Sequence, residues 1–220
     1  MKLIEKIKEF GIYKVVIIII AVIGLLNTFV FSGLNIDVNE ELVVDYTIVE
    51  EHDENFNRYS YVVLINEEAS IEELKETTKK IANQAADDKA PEGYVGLSIN
   101  FFDRVEYTSG WGYANTLGTA RFISERGWGA VESIEPGEYD KLEFEFEELR
   151  EKNWEERPTQ KEAEIYSQWD YVFWELYDHH QDDEQKIYEM TADRLEGEIY
   201  PEEVEQGVQK VEKWIEMGKD

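Results

Sequence analysis

The sequence predicts an α+β protein: a single N-terminal transmembrane helix, then a mostly antiparallel sheet with one packed helix, then a C-terminal helical segment. Three observations predict it. An uncharged apolar run lies near the start of the chain, segments of period-two hydrophobicity interrupted by one helical period follow, and beyond Pro136 the sequence becomes glutamate-rich with helical spacing. At 220 residues the chain can bury one ordinary core, and with no cysteine it has no disulfide, thiolate metal site or cysteine nucleophile. Packing must hold it together.

The run "VVIIIIAVIGLLNTFVF", Val15 to Phe31, has 17 residues, and the uncharged stretch continues through Ile36. With its flanks it is long enough to span a bilayer core as a helix over 15–33. A buried core helix would need an amphipathic flank, which is absent. Lys2, Lys6, Lys8 and Lys14 precede the run, and the next basic residue is Arg58. The excess of lysines before the span predicts a cytoplasmic N-terminus at 1–14, an uncleaved signal anchor and an extracytoplasmic remainder at the cell membrane. The alternative is secretion after cleavage near Val30-Phe31-Ser32.

After the span, "LVVDYTIVE" (Leu42 to Glu50) is β-branched and partly alternating, as in a strand, and "EHDENFNR" reads as a loop. In "YSYVVLINE", Tyr59, Tyr61, Val63 and Ile65 share one face and Val62 and Leu64 the other, which predicts a central strand. Ser70 and Glu73 form a capping box ahead of an amphipathic helix with Ile71, Leu74, Thr78, Ile81, Ala82 and Ala85 on one face. "APEG" breaks that helix. A strand follows in which Leu97, Ile99 and Phe101 alternate with Gly96, Ser98 and Asn100, and "GTARFIS" supplies another. "KLEFEFEEL" sets Leu142, Phe144 and Phe146 against Glu143, Glu145 and Glu147, a half-exposed last strand that closes the α+β part at 40–150.

The acidic helical segment is expected over 158–218. Thr159 and Glu162 make a second capping box behind Pro158, and Ile165, Tyr166, Trp169, Val172, Phe173, Leu176 and Tyr177 trace one apolar face. A second helix carries Ile187 and Met190, and Pro201 opens a third whose Val204, Val208, Val211 and Ile215 face one way.

The segment from Tyr59 to Phe122, with "YSYVVLINEEASIEELKETTKKIA", then "LSINFFDR", then a glycine-bearing strand pair ending in "GTARF", resembles exported or membrane-anchored α+β domains of Gram-positive bacteria. That resemblance covers about a third of the chain and implies location and fold. It implies no activity and no functional residue.

Charge narrows the partners. Without residues 1–32 the chain keeps 18 basic against 48 acidic side chains. Such a surface repels nucleic acid and anionic headgroups. The carboxylates are spread along the chain rather than grouped into cation-binding loops, which favours a solvated acidic surface over a calcium site. No nucleophile elbow, phosphate loop or dinucleotide fingerprint occurs, so no catalytic residue and no cofactor are assigned.

Two constellations remain. In "ELYDHHQDDE", Glu175, Asp178, His179 and Asp182 would share a helical face, a mixture that can bind a transition metal, although a bundle site needs a matching Glu-x-x-His that the helical part lacks. The alternative is a polar helix end with histidine near the last carbonyls. Trp111 and Trp128 each sit in a Gly-Trp-Gly triplet and are the candidates for stacking on sugar rings. The triplets flank "GTARFIS", so a strand of that length places the two rings at opposite ends, where they do not pinch one ligand. The sequence therefore predicts a non-enzymatic envelope protein, held by the membrane through 15–33, that meets an envelope protein or a cell-wall polymer. The alternative is an exported hydrolase or metal-dependent enzyme built on His179, His180 and nearby carboxylates.

Overall fold

The computed structural model describes residues 33–108, 115–130, 133–177, 183–195 and 197–219. These form a five-stranded sheet, one helix on its first face and three helices on part of its second. The strands are β1 (Tyr46–Asp53), β2 (Arg58–Ile65), β3 (Gly96–Phe102), β4 (Gly118–Ile123) and β5 (Glu143–Glu145), hydrogen-bonded in sequence order. All pairs are antiparallel except β2–β3, which is parallel because α1 (Ile71–Asp88) crosses between them.

The first face holds the main core. Tyr61, Val63 and Ile65 of β2, Leu97, Ile99 and Phe101 of β3, and Ala120 and Phe122 of β4 pack against Leu74, Ile81, Ala82 and Ala85 of α1. The helix starts where expected: Ser70 Oγ accepts from the Glu73 amide at 3.3 Å and Glu73 Oε2 accepts from the Ser70 amide at 2.8 Å. The segment before β1 runs antiparallel along α1. Gly33 lies against Ala86, Asn83 bonds both backbone groups of Ile36, and the Val44 amide reaches Thr77 Oγ1 at 3.2 Å.

Strand β1 begins and ends later than its sequence suggests. Val44 is buried ahead of the strand, and pairing continues through Asp53 because the hairpin needs only four residues to turn. A bulge at Val49 lets that residue join the packing on the second face, with Glu50 opposite Val62.

Helices α2 (Gln160–Tyr177), α3 (Glu184–Arg194) and α4 (Pro201–Glu216) pack on one another through Ile165, Val204 and Val208 and through Val172, Leu176 and Ile187. They meet the second face of the sheet where Ala163, Val211 and Ile215 contact Val62 and Phe102. Among the described residues no helix is long and apolar enough to cross a membrane. The expected span lies, up to Ser32, outside them.

The join between sheet and helices is polar at its centre. Asp103, at the end of β3 and 2 % exposed, accepts from Thr116 Oγ1 at 2.6 Å, Arg157 Nε at 2.8 Å and Trp214 Nε1 at 3.2 Å. Trp214 is fully buried and meets Trp154 edge-on at 5.7 Å. The C-terminus of α4 is closed by two cations. Arg150 donates to the Ile215 carbonyl at 3.0 Å, and Lys152 Nζ donates to those of Trp214 and Met217.

Two measurable consequences follow from this join. Asp103→Ala removes the counter-charge of Arg157, leaving its guanidinium only the backbone carbonyl of residue 103, and leaves Thr116 and Trp214 without their acceptor, so urea unfolding should show a loss of about 3–5 kcal/mol. Lys152 gives a pH signature. Burial, with Arg150 second, pushes its ammonium from 10.5 down to about 8. The folded chain therefore gives up this proton before the unfolded chain does, and the residue's contribution to stability rises with pH between those values. The stability of wild type relative to Lys152→Met should climb from pH 8 to pH 10.5 in urea titrations; a flat or falling difference would show that the amine is not depressed.

Candidate functional site

The helices cover only half of the second face. The ladder places His52, Ser60, Ser98, Arg121 and Glu145 in one row across all five strands, and Glu50, Val62, Asn100 and Thr119 in the next. Strands stand about 4.8 Å apart, so the row offers hydroxyl, hydroxyl, guanidinium and carboxylate at about that repeat. Toward the β1–β2 hairpin the row is bounded by Glu54, Gly127 and Trp128, and the whole forms a groove of about 420 Å³.

The floor of the groove is ordered by side-chain amides. Asn100 Nδ2 donates to Ser60 Oγ at 3.1 Å, while its Oδ1 accepts from Thr119 Oγ1 and Asn115 Nδ2, each at 3.0 Å. Asn115 Nδ2 also reaches Thr119 Oγ1 at 2.9 Å, and Asn115 Oδ1 is buried with no partner among the described residues. Arg121 is gripped at both nitrogens by Glu148, at 2.6 and 3.0 Å, while Glu145 stands opposite it in the ladder.

Trp128 is the aromatic wall. Gly127 before it takes φ +80°, a left-handed turn conformation that glycine adopts without strain. The half-buried indole lies over Gly96, where an added Cβ would stand 3.3 Å from the ring and 3.4 Å from Ile123. Its Nε1 donates to Glu54 Oε2 at 3.2 Å, its carbonyl accepts from Arg58 Nη1 at 3.0 Å, and the Arg58 guanidinium sits 5.4 Å from the ring centre.

Of the predicted site residues, Trp128 reaches the groove, whereas Trp111 lies outside the described residues. In chain order β4 lies between the two triplets, the first of which is wholly outside the described residues. Asp178, His179, His180 and Asp182 also lie outside the described residues. Glu175 is described and is paired with Arg194 at 2.7 Å. Among the described residues no group of three or more histidines and carboxylates is placed to hold a metal. Sequence reasoning missed Ser60, Asn100, Thr119 and Arg121. Their signal was polar residues on the second face of strands whose first face reads as core.

Ser60 faces His52 across β1–β2, but His52 Nε2 is engaged by Glu50 at 3.1 Å and Ser60 Oγ by Asn100. Among the described residues no hydrogen bond couples this serine to a base. A larger cleft of about 760 Å³ lies among α2, α3 and the segment after α3. Its cations are already committed, Lys161 toward Glu203 and Arg194 to Glu175. No protein-family model matches the chain, and no curated protein or solved structure is significantly similar to it.

The close seat of Trp128 on Gly96 is testable. Gly96→Val overpacks the contact, so it should destabilise the protein by about 1–3 kcal/mol in urea and displace the Trp128 indole N–H resonance as the Glu54 hydrogen bond is lost. An unchanged resonance would mean that the ring is not held there.

Proposed function

We propose that this chain is a single-pass, membrane-anchored envelope protein whose extracytoplasmic part binds a neutral wall polysaccharide along the open face of its sheet, without cleaving it. The apolar run at 15–31, preceded by four lysines, supports the anchor and the outward orientation of the α+β part (40–150) and the acidic helical segment (158–218). The observation that carries the binding reading is the row of Ser60, Ser98, Arg121 and Glu145 ending at Trp128. An aromatic wall beside regularly spaced hydroxyl, amide and carboxylate groups suits the apolar face and ring hydroxyls of a sugar.

The net charge of −28 selects among polymers. Phosphate-bearing chains are repelled at long range, while an uncharged glycan is not. A protein partner at the envelope is the competing occupant; the mixed lining, one aromatic ring beside Ser98, Asn100, Arg121 and Glu145, matches a sugar more closely than the apolar centre of a protein interface.

The test is co-sedimentation of the full chain in detergent with peptidoglycan sacculi stripped of phosphate polymers. Wild type should be retained, and Trp128→Ala and Asn100→Ala should each weaken retention about tenfold, equivalent to about 1.4 kcal/mol. Equal retention of wild type and both variants would remove the groove as the binding surface.

A further inference from the structure

The β1–β2 hairpin turns through three consecutive residues of positive φ: Asn55 at 69°, Phe56 at 54° and Asn57 at 56°. The Arg58 amide donates to the Asn55 carbonyl at 3.2 Å, so Phe56 and Asn57 are the central pair of a turn with the mirror-image dihedrals that glycine, asparagine and aspartate favour. Phe56 is a poor choice for that backbone, and its ring is 77 % exposed. An aromatic ring held outward in a strained conformation has no account in the packing of the domain. It points to a contact outside it.

The path of the chain says which contact. Gly33 lies against Ala86 and Ile36 is bonded to Asn83, so the chain enters the domain at the C-terminal end of α1 and then runs toward its N-terminus. The hairpin tip is at that same end. Lys89, just beyond α1, pairs with Glu51 of β1 and stands 4.2 Å from the Tyr59 ring centre, and the Asn57 carbonyl accepts from Val95 ahead of β3. The apolar run ends at Phe31, and the chain is already docked on α1 at Gly33. Two residues of extended chain reach about 7 Å, so there is no room for a spacer between bilayer and domain.

We propose that the hairpin tip, led by Phe56, rests in the interface of the outer leaflet that anchors this same chain. The proposal depends on the reading of 15–33 as a membrane span. Phenylalanine between two uncharged asparagines suits the headgroup level, where aromatic side chains bury an apolar body without stranding a charge. The carboxylates nearby, Asp53, Glu54, Asp87 and Asp88, oppose anionic headgroups and limit the contact to the tip. A seat there also fixes the tilt of the domain, with the Trp128 end of the groove toward the membrane and the helical layer away from it.

The absence of cysteine allows single-site labelling. The full chain is placed in phosphatidylcholine nanodiscs containing a headgroup-nitroxide lipid, with a small fluorophore on Asn35→Cys, Asn55→Cys or Glu68→Cys. Glu68 is exposed at the opposite end of the domain, between β2 and α1. Labels at 35 and 55 should be quenched and the label at 68 should not. Adding Phe56→Ser to the Asn55→Cys protein should cut its quenching by about half or more. Quenching at 35 without quenching at 55 would overturn the seat while leaving the anchor intact, as would shielding of position 55 by sacculi in place of lipid. No quenching at 35 would overturn the anchor and the seat together. If Asn55→Cys does not fold, enhanced relaxation of the Phe56 amide by the same lipid, in otherwise unmodified ¹⁵N-phenylalanine-labelled protein, decides the matter in the same sense.

Discussion

The helical layer is fixed to the sheet through the carboxylate of Asp103. A carboxylate at 2 % exposure is costly unless every lone pair it offers is met, and here its donors come from three separate parts of the chain: Thr116 before β4, Arg157 ahead of α2, and Trp214 in α4. Solvating this charge and assembling the second layer are therefore one event. The apolar packing around it is modest, with Val62 and Phe102 of the sheet under Ala163, Val211 and Ile215. Packing of that kind tolerates sliding, whereas a three-donor carboxylate does not. The capping of α4 by Arg150 and Lys152 adds a second fixed point, because these cations lie on the segment that links β5 to α2.

That attachment decides where the groove lies. With the helices fixed over the Asp103 end of β3, they cannot also cover the Gly96 end, and the second face there is left to Ser60, Ser98, Asn100 and Arg121. A fully covered face would have required apolar side chains at those positions, since each buried hydroxyl or amide without a partner costs about 1–3 kcal/mol. Polar floor and partial cover are consistent with one another. The Asn100 network, shared with Ser60, Thr119 and Asn115, then keeps the floor rigid without an apolar lining.

Much of the fold was legible because its signals are local. The Ser70–Glu73 and Thr159–Glu162 boxes, the Pro201 start and the alternation in β2 and β3 depend on neighbours within a few residues, and each marks the element found there. The hairpin tip was not legible, because "ENFN" carries no glycine and reads as a longer loop. Asp103 was equally hidden, since one aspartate after a strand looks like a turn residue until Arg157 and Trp214 arrive from 54 and 111 positions away. Trp128 was recognisable from its glycines. Its polar partners were not, because only the register between strands brings Ser60, Ser98 and Arg121 into line.

The charges complete the division of labour between core and surface. The cations of the described residues are largely engaged within the fold: Lys79, Lys80, Lys89, Arg121, Arg157, Lys210 and Lys213 pair with carboxylates, and Arg150 and Lys152 bind carbonyls. What reaches outward is an excess of carboxylate, whose field extends about 8–10 Å at physiological ionic strength. On the proposed reading, discrimination and affinity have separate sources. The field acts on any approaching chain before contact and excludes polyanions. Within contact distance the groove presents neutral dipoles, the carboxylates of Glu54 and Glu145, a guanidinium already neutralised by Glu148, and one aromatic wall, none of which attracts an anionic ligand strongly. An uncharged polyhydroxylated chain, the ligand proposed above, would meet both conditions: the field does not repel it, and the row that ends at Trp128 offers groups matched to its hydroxyls and apolar ring faces.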